Sequence, residues 1–137
     1  IMSRDKEEKT MLVCDEAYLL IDSRVPETTI FLRNVAKRCR KYEGSLVIIS
    51  HSIADFLDDS IKMYGQAILD MAKILMGTDG VNLEETTELF KLSEGQSEFL
   101  YKKKRGLALF IIGSNRIFVR FDIFPIEFEY FGKGGGR

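Results

Sequence analysis

Asp15 and Glu16 stand side by side at the end of a short apolar run, Met11 to Cys14, and their type and spacing could do chemistry. A run so short and so continuously hydrophobic suits a strand buried on both faces, as in the parallel sheet of an α/β domain. Ligands sit at the C-terminal ends of such strands, so carboxylates delivered there can meet a substrate or a metal. One acid could hold Mg²⁺ through its water shell while its neighbour polarises an attacking water. The plainer alternative is a strand end that becomes solvated, leaving two surface acids.

His51, the single histidine of the chain, follows a second apolar run, Ser45 to Ser50, that is rich in β-branched residues. A lone histidine is often only a structural hydrogen-bonding residue. Here it would emerge at the same sheet edge as the two acids, where a polar group can contact a phosphate or the water that attacks it. Between the two runs lie Arg33, Lys37, Arg38, Arg40 and Lys41, and later Lys102, Lys103, Lys104 and Arg105. Each basic cluster reads either as a solvated helix C-terminus or as a source of one side chain that reaches phosphate or nucleic acid.

The elements that must position these residues follow from local pattern. Pro26 suits the first turn of a helix and Glu27 its positive end. Phe31, Leu32, Val35, Ala36, Cys39 and Tyr42 then recur on one helical face, and Gly44 is placed to end the helix. Strand, helix and strand make a right-handed βαβ unit with its strands side by side. Ser52 and Asp55 predict a capping box for a short helix holding Ile53, Phe56 and Leu57. Beyond Asp59, Ile68, Leu69, Met71, Ile74 and Leu75 could continue one helix, but local periodicity does not settle the stretch. Thr78 to Gly80 predicts a turn, Leu83 to Leu92 a helix with Leu83, Thr87 and Phe90 inward, and Ser93 with Gln96 a capping box. Leu107 to Ile112 and Ile117 to Phe124 predict a hairpin across Gly113 to Arg116, with Ile117, Val119, Phe121 and Ile123 on the core side and Pro125 ending the strand.

The totals agree with one soluble domain. The 137 residues are 45% hydrophobic and 30% charged, with a net charge of -1 that gives no global case for nucleic-acid binding. No apolar run approaches membrane-spanning length. Cys14 and Cys39 read as small hydrophobes of a reducing compartment, without a disulfide. The opening residues, IMSRDKEEKT, read as a helix or loop end entered from upstream, which marks a fragment, and residues 132–137 read as a flexible tail.

The motifs DEAYLL and FLRNVAKRCRKYEGSLVIISHSIADFL together resemble the motor domain of the type IV secretion and conjugation ATPases, the VirB-type family within the FtsK/HerA group. An apolar strand ending in Asp-Glu matches that family's Walker B element. Lys37-Arg38-x-Arg40-Lys41-Tyr42 matches its basic motif, and a strand-end polar sensor followed by Asp-Phe is matched by His51 and Asp55-Phe56. The usual sensor is glutamine, so His51 is a departure, although histidine also donates to phosphate. Tyr18 stands where an aromatic follows the acids.

The resemblance implies a partial RecA-like P-loop NTPase sheet with flanking helices and a C-terminal β-hairpin, residues 1–131 forming the C-terminal part of the motor domain, and in the unsettled stretch a helix to about Asp70 followed by a strand, Lys73 to Gly77. It implies ATP and Mg²⁺ as cofactors. Asp15 would hold the metal through water, Glu16 would act as general base and His51 as γ-phosphate sensor. Arg38 or Arg40 would stabilise transition-state charge, with Arg105 a further nucleotide-contact candidate. The partners implied are further copies of the motor, other secretion-system components and a candidate DNA substrate, in the cytoplasm or at the inner face of the cell membrane. No GxxxxGK[ST] occurs, so the chain alone is expected neither to bind ATP tightly nor to hydrolyse it. A DNA-pumping motor of the same group and a non-enzymatic interaction module remain the alternatives. An open sheet edge and an uncovered apolar face are expected to favour self-association.

Overall fold

The computed structural model of the chain describes residues 9–22, 24–59 and 61–131. Strand β1, Thr10–Cys14, leads into helix α1, Pro26–Arg38, and back to β2, Gly44–Ile48. The two strands pair in parallel with Thr10 opposite Gly44 and Cys14 opposite Ile48, so the βαβ unit forms as expected. Helix α2, Lys62–Leu69, packs on α1. Strand β3 follows at Lys73–Met76, which resolves the ambiguous stretch in favour of helix then strand. Helices α3, Gly80–Phe90, and α4, Glu94–Tyr101, precede the hairpin of β4, Leu107–Ile112, and β5, Asn115–Arg120; a last helix, α5, spans Pro125–Phe131. The second sheet is antiparallel in the order β3-β4-β5.

Each sheet has its own core. Leu12 and Cys14 of β1, Leu46 of β2, Leu32 of α1 and Ile68 of α2 meet Ala17, Phe56 and Ile61. Leu109 and Ile111 of β4 meet Leu92, Leu100 and Phe99. The mixed α/β class, with helices flanking small sheets and a C-terminal hairpin, is therefore as the sequence implied.

Several local expectations change. Strand β1 is buried on one face only: Met11 is 64% and Val13 52% exposed, because a sheet of two strands here has a helix layer on one side. The chain leaves α1 through a 3-10 turn, Cys39–Tyr42, and it is Glu43 at φ 54, not Gly44, that takes the left-handed cap. Gly44 instead opens β2, where a Cβ would lie 3.3 Å from the Cys39 carbonyl oxygen. Phe31 and Tyr42 are exposed, while Thr29 and Leu32 carry the buried side of α1. The expected Ser52 capping box becomes a tighter turn. Ser52 Oγ accepts from Ala54 N at 3.2 Å and one 3-10 turn, Ala54–Phe56, follows; the Asp55 side chain lies outside what is described.

Helix α3 begins at Gly80, earlier than the expected Leu83, and buries Thr86 rather than Thr87. The α4 capping box forms as expected, with Ser93 Oγ and the Gln96 side chain each accepting from the other residue's backbone N–H. In the hairpin the turn tightens to Gly113-Ser114, Gly113 standing at φ 57. β5 is an edge strand that ends at Arg120, so Ile117 at 50% and Phe121 at 53% exposure lie outside the core expected of them. Residues 132–137 and 1–8, the expected tail and most of the expected entry segment, lie outside the described residues. Among the described residues no helix is long and apolar enough to cross a membrane.

Candidate functional site

The site begins where the β1–β2 ladder runs past its strands. Ile49 N donates to the Cys14 carbonyl at 2.9 Å and Ala17 N donates to the Ile49 carbonyl at 2.9 Å. These two bonds hold the Asp15-Glu16 corner against the exit of β2. Glu16 turns that corner in the left-handed region, at φ 50 and ψ 47. This conformation costs a non-glycine residue roughly 1 kcal/mol. It sends Ala17 into the core, fully buried, and leaves the Glu16 side chain outside.

His51 arrives from β2 at the same place. Its Nδ1 lies 3.4 Å from Glu16 Oε2, and its ring meets the Tyr18 ring edge-on with centroids 4.8 Å apart. The sequence pattern marked Tyr18 only as an aromatic after the acids; its packing on His51 needed the two strand exits in register. Asp15 Oδ1 accepts from the Glu16 backbone N–H at 2.9 Å, which fixes the carboxylate and leaves its second oxygen without a donor among the described residues. Among the described residues no group of three His, Cys, Asp or Glu side chains forms a metal cage. A single outward carboxylate fits Mg²⁺, which keeps most of its water and takes phosphate oxygens as further ligands.

Beside Tyr18 an open groove of about 510 Å³ is lined by Ile21, Asp22, Arg24, Asp58 and Ile61. Its wall is stiffened by Arg24, whose Nε and Nη2 donate to both Asp22 oxygens, Nη2 at 2.7 Å. Hydrogen bonds from the Arg24 side chain and backbone hold the Asp22 carboxyl down at about 2. Sequence reading missed this pair because residues two apart in a loop carry no periodic signal.

Glu16, His51 and Asp15 are thus brought together, and the arginines are not. Arg40 lines a groove with Thr10 and Gly44, at the start of both strands. Asp15 and Glu16 follow the end of β1, a strand of five residues or about 16 Å further on. Arg38 and Arg40 make no ion pair among the described residues. Arg105 is exposed in the turn before β4, beside Lys103, which pairs with Asp79.

The fold class, mixed α/β as part of a P-loop ATPase domain, is supported by a comparison with solved structures. The chain matches the structure of VirB4 of Thermoanaerobacter pseudethanolicus with a TM-score of 0.85 and 42% sequence identity over 94% of its own length. This is the similarity to a VirB4-type fragment that the order of its motifs implied, and the chain spans 35% of the length of the VirB4 chain that it matches. No family model and no curated protein sequence matches it.

Proposed function

We propose that this chain is the acid-bearing portion of an ATP-hydrolysing motor that energises type IV secretion, with conjugative DNA transfer as its work. The observation that carries the reading is the meeting of two strand exits: Asp15 and Glu16 from β1, with His51 from β2 at 3.4 Å from Glu16. Bound Mg²⁺ would neutralise charge on the phosphates of ATP. Asp15 would hold that ion through water, and Glu16 would accept the proton of the attacking water. With both ring nitrogens protonated, His51 would donate through Nδ1 to Glu16 and through Nε2 to the γ-phosphate, while the Tyr18 ring edge limits the imidazole's rotation.

Arg38 and Arg40 stand at the far end of the sheet and do not serve the acids of their own copy. Their role in this reading is in trans, stabilising transition-state charge at a neighbouring copy. Arg105 contacts nucleotide from the turn before β4.

The test is a chimera in which this chain replaces the matching 35% of the Thermoanaerobacter VirB4 chain. The chimera is expected to release phosphate from ATP, and Glu16→Gln is expected to lower that rate by about a hundred- to ten-thousand-fold while nucleotide binding persists. An unchanged rate in the Glu16→Gln chimera would remove Glu16 as the base and with it this reading.

A further inference from the structure

Turn 103–106, which joins α4 to β4, is held by contacts that each forgo something locally. Asp79 stands at the N-cap of α3, where an aspartate ordinarily accepts from the first N–H groups of its own helix. Its side chain makes no such bond. The carboxylate instead pairs with Lys103, 24 residues along the chain. Lys103 itself stands at φ 46, in the left-handed region that residues other than glycine rarely adopt. The exit of β3 presses on the same residue: a Cβ added at Gly77 would lie 2.5 Å from the Lys103 Cα. Thr78 N donates to the Leu100 carbonyl at 3.2 Å, which ties that exit to the end of α4.

The other side of the turn is fixed as well. A Cβ at Gly106, which stands at φ 79, would lie 2.7 Å from the Phe121 carbonyl oxygen, and the Gly106 carbonyl accepts from Phe121 N at 2.7 Å. Leu107 N closes the turn on the Lys104 carbonyl at 3.1 Å. Within the basic run, Lys102 pairs with Glu98 and Lys103 with Asp79. Lys104 and Arg105 are exposed and make no ion pair among the described residues. Unfavourable backbone that its surroundings hold in place clusters where a side chain must meet a ligand in one orientation.

We propose that Asp79 is a positioning residue: through Lys103 it fixes turn 103–106 so that Arg105 meets the phosphate oxygens of a bound nucleoside triphosphate. The role rests on the reading of Arg105 as a nucleotide contact, and it adds the residue, on a different element, that aims the guanidinium. A guanidinium on a fixed turn loses less freedom on binding than one on a mobile loop. The clasp therefore raises nucleotide affinity without entering the chemistry at Glu16.

The test reads the affinity of the VirB4 chimera for a fluorescent ATP analogue beside its phosphate release. Arg105→Ala is expected to weaken binding about tenfold. Asp79→Asn, which keeps the size and removes the charge, is expected to weaken binding about three- to tenfold and to leave kcat within about twofold. In the Arg105→Ala background Asp79→Asn is expected to change binding no further, because the clasp then aims no group. A charge exchange, Asp79→Lys with Lys103→Asp, is expected to recover affinity relative to Asp79→Lys alone. A merely structural clasp would weaken binding equally in both backgrounds, and that result overturns the proposal. So does an Asp79→Asn chimera that binds undiminished while Arg105→Ala binds weakly, an outcome that leaves the nucleotide contact standing. Undiminished binding by Arg105→Ala would remove the contact and the positioning role together.

Discussion

At the residue scale the proposed reading gives His51 the place where glutamine is usual in the resembled motors, and its geometry suits that reading. Nδ1 faces Glu16 at 3.4 Å and the Tyr18 edge holds the ring, so that in the doubly protonated imidazole the second N–H is left to donate outward. In the VirB4 chimera, His51→Gln is therefore expected to keep hydrolysis within about tenfold, since an amide also donates. His51→Ala is expected to lose about a hundredfold, the size of effect seen when one transition-state donor is removed. Equal losses in steady-state phosphate release would show that the ring does something an amide cannot. A second residue-scale expectation concerns Asp22, whose ordinary value of 3.8 falls to about 2 through the hydrogen bonds from Arg24. A depressed carboxyl contributes stability above its unfolded value and loses it as pH falls through the folded one. The difference in thermal midpoint between the chain and Arg24→Ala should thus be present at pH 5, shrink as pH falls from 3.8 towards 2 and vanish only below that. Arg24 is exposed and Asp22 only half-buried, so solvent screening should keep the difference small throughout.

At the element scale the tightest junction is α2 against the 3-10 turn at Phe56. A Cβ added at Gly65 would sit 2.4 Å from the Phe56 carbonyl oxygen, a backbone atom that cannot swing aside. Gly65→Ala should destabilise the chain by about 1–3 kcal/mol in urea unfolding, although alanine is the better helix former. A midpoint equal to that of the unsubstituted chain would mean that the two elements can separate at no cost. The end of the same helix is closed by Lys73, whose Nζ donates to the Leu69 and Met71 carbonyls at 2.6 and 2.7 Å beneath the Phe90 ring. Burial lowers its pKa, against the pull of Asp70. Lys73→Met should cost about 1–2 kcal/mol by stranding two carbonyls, and the loss should appear as faster amide exchange in α2.

Neither junction was legible in the sequence, because each depends on what lies across the chain rather than on neighbours. What was legible had strong local grammar: the two apolar runs, Pro26 opening α1, the Ser93-Gln96 box opening α4 and the Gly113 turn. The burial of β1 was misread for a physical reason. A continuous apolar run reports that both faces avoid water somewhere, but here Met11 and Val13 face solvent, and the sequence of one strand does not say what layer covers it. Likewise Glu43 takes the left-handed cap, at φ 54, because Gly44 is needed for close approach to Cys39.

At the scale of the whole molecule, the separation of acids from arginines is the fact with the widest consequence. Asp15 and Glu16 follow the last residue of β1, whereas α1 runs back so that Arg38 ends beside the first. A parallel βαβ unit enforces this: the helix must return antiparallel to its strands, so its C-terminal charges always lie at the opposite sheet end from the strand-end site. No rotamer of Arg38 spans about 16 Å of strand. If it contributes to hydrolysis, a second copy must present the acids to it. Chimeras carrying Glu16→Gln and Arg38→Ala are each expected to be inactive alone. In the mixture some interfaces join an intact Glu16 on one copy to an intact Arg38 on the next, and phosphate release should return. Recovery on mixing would assign Arg38 to the neighbour's site. Silence in a mixture that sedimentation shows to be co-assembled would return Arg38 to the role of a solvated helix end, and would leave charge stabilisation to His51 and the metal.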